Sequence, residues 1–219
     1  TGTGGTGHTF LHGLGSAPSF FIIKRRSGTE DWLVYHSSNT SDPATDHLLL
    51  NTTDGTSDSA TRFDDTAPNG TEIALGNNAV CNGDASTYVC YAWKEVQGYS
   101  AFGSYTGNGS ADGPFIYTGF KPAWLLFKRT DASGNSWGLV DNRRNKNDTE
   151  DVSNVIDAYM NPDLDNDDGG NSATTDFLSN GFKHRRSGGF INNDGSTYIY
   201  AAFAENPFVS SEGIPTTAR

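Results

Sequence analysis

The residues best suited to chemistry in this sequence are the carboxylates of one acidic segment. Four of them precede a glycine pair: Asp163, Asp165, Asp167 and Asp168. Alternating carboxylates on a glycine-bent loop can surround Ca²⁺ with hard oxygen ligands. An EF-hand loop would place Gly and Glu at its sixth and twelfth positions, where this chain has Asp168 and Thr174. The segment predicts a calcium site or a solvated acidic loop, and the imperfect match favours the loop.

Two basic segments stand out in a chain of formal net charge −11. They supply five candidate contacts to an acidic glycan or a partner subunit: Arg143, Arg144, Lys183, Arg185 and Arg186. Neutralisation of nearby acidic loops explains them equally well. Aromatic rings in loops are the other expected sugar contacts, because a ring offers an apolar face. The candidates are Tyr99, Phe102 and Tyr105.

Signals for catalysis are weak. The sequence has no Gly-x-Ser-x-Gly elbow, no Walker loop and no dinucleotide fingerprint, and its five histidines are scattered. A glycosidase needs two converging carboxylates. Glu95 and Glu205 end similar strand-like runs and could be such a pair. Charge pairing within the scaffold, with the lysine and arginine at 24–25 and 128–129, is the simpler explanation of both residues. We therefore predict that the protein is not an enzyme.

Composition excludes two further classes. A strongly acidic chain argues against a nucleic-acid partner, since phosphate binding draws on clustered Lys and Arg. No stretch approaches the roughly 20 apolar residues needed to cross a bilayer, so we expect no membrane insertion. Cys81 and Cys90 flank a turn-like segment, and they are interpreted as two small buried hydrophobic residues or, with a wider loop, as a disulfide. The redox state stays open.

The chain contains two similar halves. Pro18-Ser-Phe-Phe-Ile-Ile-Lys-Arg25 recurs as Pro122-Ala-Trp-Leu-Leu-Phe-Lys-Arg129, and the run 87–93 recurs at 197–203. These anchors predict quasi-repeats at about 1–98 and 99–208, followed by a C-terminal tail at 209–219. Polar groups present in both halves are expected to serve the shared scaffold, whereas those present in only one half can belong to a functional site. The strand-like run 99–105 precedes the turn of the second half, whereas the first half begins at its turn, so we expect a fragment or processed product of a longer protein.

Short runs rich in β-branched and aromatic residues predict an all-β fold. The predicted strands are 8–12, 19–25, 31–36, 47–52, 72–75, 87–96, 100–105, 114–118, 123–130, 137–141, 177–183 and 197–205. Only 152–160 has helical spacing. We expect a single antiparallel β-sandwich body over 1–219, of jelly-roll or concanavalin-like kind, with two adjacent smaller sandwiches as the alternative. The four tryptophans are assigned to the core.

Several short sequence segments resemble those of an uncharacterised duplicated β-rich domain of tailed bacteriophages, especially marine ones. They span nearly the whole chain: 12–18, 22–26, 31–36, 50–53, 98–100, 103–109, 113–115, 177–183 and 202–208. The resemblance implies a part of a virion protein, often in long polypeptides with laminin-G or concanavalin-like modules, that builds fibres, spikes or surface decorations. It brings no catalytic residues.

The leading hypothesis is a structural and adhesion module on the surface of a phage particle, with other virion proteins or its own copies as partners and a host-surface glycan as possible ligand. The alternative is a lectin-like carbohydrate-binding domain of a secreted or surface bacterial protein. A glycan hydrolase or lyase is the third hypothesis.

Overall fold

Antiparallel β-sheets account for most of the ordered structure, as predicted. The computed structural model describes residues 1–143, 155–165 and 174–207. The chain divides into two compact units, Thr1–Lys94 and Glu95–Arg219, close to the predicted boundary between the halves. Within the described ranges, no helix is long and apolar enough to cross a membrane. The prediction of one body over 1–219 stays a prediction, and the tail at 209–219 lies outside the described residues.

Unit 1 contains seven strands and two single-turn helices. Their order is β1 (His8–Leu11), β2 (Phe20–Arg25), β3 (Trp32–His36), β4 (Asp46–Leu49), β5 (Ser57–Asp58), α1 (Ala60–Phe63), β6 (Glu72–Leu75), α2 (Ala79–Asn82) and β7 (Tyr88–Trp93). One sheet has the order β5-β4-β3-β2-β7, and β1 pairs with β6. Phe21, Ile23, Leu33 and Phe63 belong to the core of this unit.

Unit 2 contains β8 (Ser100–Thr106), β9 (Phe115–Tyr117), β10 (Pro122–Arg129), β11 (Gly138–Asp141), β12 (Val155–Ile156), β13 (Thr175–Leu178), β14 (Gly181–His184) and β15 (Thr197–Ala204). Its sheets have the orders β11-β10-β15-β8 and β12-β13-β14-β9. Phe127 of the first sheet and Phe177 and Phe182 of the second share one core, so the two sheets form a β-sandwich.

The two non-alternating apolar runs are interior strands, as a strand covered on both faces requires. β2 lies between β3 and β7, and β10 lies between β11 and β15. Their registers correspond as well. Ile23 is opposite Cys90 in unit 1, and Phe127 is opposite Tyr200 at the matching place in unit 2.

A buried asparagine organises the turn before the last strand of each unit. Oδ1 of Asn82 accepts the backbone N–H of Thr3 at 2.8 Å, and Oδ1 of Asn192 accepts that of Asn108 at 2.8 Å. Both side chains are fully buried. Gly2 and Gly107 approach the same turns so closely that a Cβ would lie 2.3 and 2.1 Å from a backbone oxygen. These repeated contacts hold the loops at 1–5 and 106–110 against their sheets.

The prediction of a helix at 152–160 is wrong for 155–160, the part of this range that the structure describes. Val155 and Ile156 form β12, and Met160 bridges Leu139. Pairing with β13 and β11 satisfies the backbone there, which outweighs a helical pattern of four apolar residues. The strand predicted at 177–183 is a hairpin of β13 and β14. Trp32, assigned to the core, is 36% exposed.

Candidate functional site

Two of the five predicted basic contacts converge on one carboxylate in unit 2. Nζ of Lys183 lies 2.7 Å from Oδ1 of Asp112, and Nη1 of Arg185 lies 3.3 Å from the same oxygen. Arg185 also pairs with Asp176 of β13. The hydrogen bond from Lys183 is the main reason that the pKa of Asp112 is lowered, with the nearby charges of Lys183 and Arg185 acting in the same direction. Local neutralisation, one of the two sequence interpretations, is therefore observed at these residues.

An exposed aromatic pair lies beside this charge cluster. Phe115 and Tyr117 of β9 are 47% and 67% exposed, whereas Ile116 between them is buried. Alternation in the strand places both rings on the outer face of the sheet. Lys183 is opposite Phe115 in the register, and Gly181 is opposite Tyr117. We call this surface, made of Phe115, Tyr117, Lys183, Arg185 and Asp112, the β9 face.

Gly181 allows the two strands to meet at this point. A Cβ added there would lie 2.1 Å from the backbone oxygen of Ile116 and 3.0 Å from the ring of Phe115. Any larger residue would push β9 away from β14, because backbone cannot move aside as a flexible side chain can. The aromatic pair is thus held on a paired strand rather than on a loop, which fixes the positions of the two rings.

The β9 face has the groups that a sugar ring requires. Exposed apolar surface bordered by polar groups is typical of interaction sites. The faces of Phe115 and Tyr117 can stack on the apolar face of a pyranose, and the Lys183, Arg185 and Asp112 cluster can bond to its hydroxyl groups. With Asp176, the second partner of Arg185, the two positive and two negative charges of the cluster balance, so the cluster offers hydrogen-bonding groups rather than a net charge. The sequence analysis missed Phe115 and Tyr117, although their alternation with Ile116 was a usable signal.

The matching strand of unit 1 has no aromatic pair. Thr9 and Leu11 of β1 occupy the places of Phe115 and Tyr117, and they are opposite Ala74 and Glu72. Leu11 is 76% exposed. The aromatic and basic groups therefore distinguish unit 2 from unit 1 at equivalent positions.

The three aromatic residues predicted as sugar contacts lie mostly elsewhere. Phe102 and Tyr105 belong to β8 and are buried, so their assignment as exposed loop contacts is corrected. Tyr105 stacks on Tyr198 with ring centroids 4.8 Å apart, and its hydroxyl donates to the Ile191 carbonyl. Burial raises its pKa well above the ordinary value. Tyr99 is 41% exposed and packs edge-on against Phe203.

The other predicted basic residues do not belong to the β9 face as defined. Arg143 is exposed in the turn after β11, a strand of the opposite sheet. Arg186 is exposed directly after Arg185. Arg144 lies outside the described residues.

The acidic segment is described only in part. The backbone N–H of Trp137 donates to Oδ1 of Asp163 at 3.0 Å, so this carboxylate has a structural partner. Asp165 is exposed, and Asp167 and Asp168 lie outside the described residues. Among the residues that the structure describes, no group of three or more His, Cys, Asp or Glu side chains could hold a metal ion. Calcium binding by this segment stays a prediction.

The strongly shifted histidines and cysteines are core groups. His184 is fully buried against Tyr105, Phe127 and Phe182, and burial lowers its pKa to about 3. Burial likewise raises the pKa of Cys81 to about 11 and that of Cys90 to about 12. Both cysteines are free, so the alternative of a disulfide between them is not realised.

Charge pairing within the scaffold is observed at the end of unit 2. Oε2 of Glu205 lies 3.1 Å from Nζ of Lys121, and Arg129 pairs with Asp131 at 2.7 Å. Lys128 is buried and donates to the Asn135 carbonyl at 2.7 Å. Glu205 thus pairs within the scaffold, but its partner is Lys121, directly before β10, and not the predicted Lys128 or Arg129 at the far end of that strand.

Comparison with known proteins identifies the family. The model of a domain of unknown function, DUF7483, matches residues 1–207. The chain belongs to the DUF7483 family. No curated protein and no solved structure matches the chain. The DUF7483 assignment covers both units and carries no activity with it.

Proposed function

We propose that this DUF7483 chain is a non-enzymatic structural and adhesion module on the surface of a tailed-phage particle, and that it contacts a host-surface glycan through the β9 face. The resemblance of its sequence segments to phage virion domains supports the location. Its neighbours in the particle are other virion proteins or, in a homo-oligomer, further copies of the chain itself. The β9 face supports the glycan contact.

The finer architecture belongs to the same proposal. The two units are quasi-repeats of one ancestral sequence, on a jelly-roll or concanavalin-like plan. Support comes from the matching registers of β2 with β7 and β10 with β15, and from the matching bonds of Asn82 and Asn192. In such a pair, one copy can keep the scaffold while the other acquires a binding surface.

The observation that carries the glycan proposal is the exposure of Phe115 and Tyr117 beside Lys183 on one rigid strand pair. A ligand that covers both rings gains free energy, because it removes apolar surface from water. The corresponding strand of unit 1 has the same backbone pairing but carries Thr9 and Leu11. The scaffold therefore does not require aromatic residues at these positions.

A glycan array tests this proposal with three forms of the chain. The unmodified chain is expected to bind a defined set of glycans. The double variant Phe115→Ala, Tyr117→Ala is expected to lose about tenfold or more in affinity, as aromatic anchors of a binding surface do. The matched control Thr9→Ala, Leu11→Ala changes the equivalent strand of unit 1 and should bind like the unmodified chain. Equal binding by all three forms would refute the β9 face as the contact.

Two further measurements address the remaining parts. Mass spectrometry of purified particles, followed by labelling with an antibody to the chain, should find it on the particle surface. Incubation with the bound glycan should release no shorter fragments. Release of fragments would favour the hydrolase or lyase hypothesis instead.

The second candidate function is a lectin-like carbohydrate-binding domain of a secreted or surface bacterial protein. The β9 face favours it as much as the first, since both need the same contact. Recovery of the chain from bacterial culture or cell surfaces, and not from particles, would select this candidate.

A further inference from the structure

Unit 1 contains an arginine whose buried donors have no partner among the described residues. Nε and Nη1 of Arg62, in α1, are both buried, and neither donates a hydrogen bond to any described group. A guanidinium keeps its charge in proteins. Removing a charge from water costs much free energy unless the charge is paired and hydrogen-bonded. A group that accepts hydrogen bonds from Arg62 is therefore required.

A buried histidine lies beside this arginine. His47 of β4 is 5% exposed, and its Nδ1 also has no hydrogen-bond partner in the described part of the chain. Burial lowers the pKa of His47 to about 4, and the charge of Arg62 acts in the same direction. This electrostatic effect shows that the two side chains are close together. A neutral imidazole can carry its hydrogen on either nitrogen, so Nδ1 can donate to a shared acceptor.

The backbone fixes the positions of both residues. The carbonyl of Arg62 accepts from the N–H of Gly76 at 2.9 Å and from the thiol of Cys81 at 3.2 Å. The N–H of Ser59, directly before α1, donates at 2.9 Å to the carbonyl of Thr45, directly before β4. These bonds hold α1 against β4, so the two side chains keep a constant relation to each other.

Two carboxylates near His47 leave the donors of Arg62 unpaired. Asp46 and Asp58 act to raise the pKa of His47. They are opposite each other in the strand pair, and His47 is opposite Ser57. Because successive side chains of a strand point to opposite faces, Asp46 and Asp58 lie on the other face from His47. Asp46 also accepts from the hydroxyl of Thr40.

The polar pair is specific to unit 1. Met160 bridges β11 in unit 2 as Leu48 pairs with β3 in unit 1, so Tyr159 has the place of His47. The ring of Tyr159 packs against that of Phe190, with centroids 5.0 Å apart. Unit 2 thus has an aromatic contact where unit 1 has an unpaired imidazole nitrogen. The shared scaffold does not require a polar group at this place.

We propose that unit 1 binds a small inorganic anion, such as chloride or phosphate, between Arg62 of α1 and His47 of β4. The anion accepts hydrogen bonds from the guanidinium and from Nδ1–H of the imidazole, and it neutralises the buried charge. Hydrogen bonds between charged groups are stronger than neutral ones. The bound anion stabilises the packing of α1 on the sheet of unit 1. The site is separate from the β9 face and does not depend on glycan binding.

Thermal unfolding of the full chain tests the proposal in a zwitterionic buffer, with sodium chloride or sodium phosphate added at equal ionic strength. An anion that binds the folded state raises its stability by mass action. The Tm of the unmodified chain should therefore rise with the logarithm of the anion concentration. Arg62→Met keeps the apolar stem and removes the charge. Its Tm should equal or exceed that of the unmodified chain without anions, and should be lower than that of the unmodified chain at saturating anion.

Arg26→Met is the matched control, because Arg26 is exposed in the same unit. Its Tm should respond to anions as the Tm of the unmodified chain does. This comparison separates binding at Arg62 from general effects of salt, which act on all three forms. A response to phosphate alone would identify an oxoanion as the ligand, and a response to chloride as well would identify a site for small anions in general.

Crystals of the unmodified chain grown in sodium bromide locate the anion, because bromide scatters anomalously. A peak is expected within hydrogen-bond distance of the Arg62 guanidinium and of Nδ1 of His47. If Arg62→Met does not fold, this peak and the response of the unmodified chain decide the question.

Three results would overturn the proposal. The first is an equal response of Tm to anions in Arg62→Met and in the unmodified chain. The second is the absence of any response together with the absence of a bromide peak at Arg62, which would make water the acceptor. The third is a bromide peak only at other places, which would mean an adventitious ion only.

Discussion

Replacement of Asn82 by alanine should destabilise unit 1 strongly. Oδ1 of Asn82 accepts from the backbone N–H of Thr3, and its Nδ2 donates to the carbonyls of Gly5 and Gly76 at 2.8 and 2.9 Å. The variant leaves these three backbone groups without this partner. The bond to Gly76 is buried, whereas those to Thr3 and Gly5 are only partly buried, so water can replace them in part.

The magnitude follows from these differences. A buried polar group left unsatisfied costs about 1–3 kcal/mol, and each partly buried bond contributes about 0.5–1.5 kcal/mol. We therefore expect the free energy of unfolding to fall by about 2–4 kcal/mol, allowing for relaxation of the loop. Asn192→Ala should have a similar effect in unit 2, because Asn192 makes matching bonds to Asn108 and Ser110.

Urea unfolding followed by tryptophan fluorescence measures this loss. An unchanged m-value would show that the same amount of surface is exposed on unfolding in the variant. Asn77→Ala is the matched control, since Asn77 is exposed five residues away in the same loop region. The control should change the free energy by no more than about 0.5 kcal/mol. If Asn82→Ala were no more destabilising than Asn77→Ala, the buried asparagine would not hold the loop and the reasoning would be refuted.

Three more predictions concern stability and reactivity. The pKa of His184 is about 3 in the folded protein and 6.5 in the unfolded chain. The contribution of His184 to the free energy of unfolding should therefore be full above pH 6.5 and should fall by about 1.4 kcal/mol per pH unit below pH 6.5. Acid unfolding curves of His184→Phe should lose this part of the pH dependence, and an unchanged pH dependence would contradict the prediction. Gly181→Ala should cost about 1–3 kcal/mol in thermal or urea unfolding because its Cβ would meet the Ile116 carbonyl, whereas Gly5→Ala, where a Cβ meets nothing, should be nearly neutral. At pH 8, Cys81 and Cys90 should react with iodoacetamide about a hundredfold or more slowly than a free thiol of pKa 9.0, given pKa values of about 11 and 12; rates near that of a free thiol would show that they are not buried.

The central strands were predictable because their signal is local. The apolar runs at 20–23 and 124–127 do not alternate, and such runs belong inside a sheet. The recurrence of both runs also predicts that β2 and β10 correspond, and both are interior strands of their sheets. Most of the other strands were predicted from their β-branched and aromatic residues.

The site was less predictable because its contacts are distant in sequence. Asp112 meets Lys183 and Arg185 more than seventy residues along the chain, and no local pattern indicates this pairing. Tyr105 lies in the predicted strand 100–105 but was expected to be an exposed sugar contact, because its burial depends on β15, which lies far away in the sequence. The alternation at Phe115–Tyr117 showed that the two rings share a face, but it did not show which face was outside.

The most direct test of the glycan proposal is chemical-shift mapping of the chain with the best ligand from the array. The account predicts shifts concentrated at Phe115, Tyr117 and Lys183, with the equivalent residues Thr9 and Leu11 unchanged. Shifts centred on unit 1, or on Tyr99 and Arg143, would contradict it.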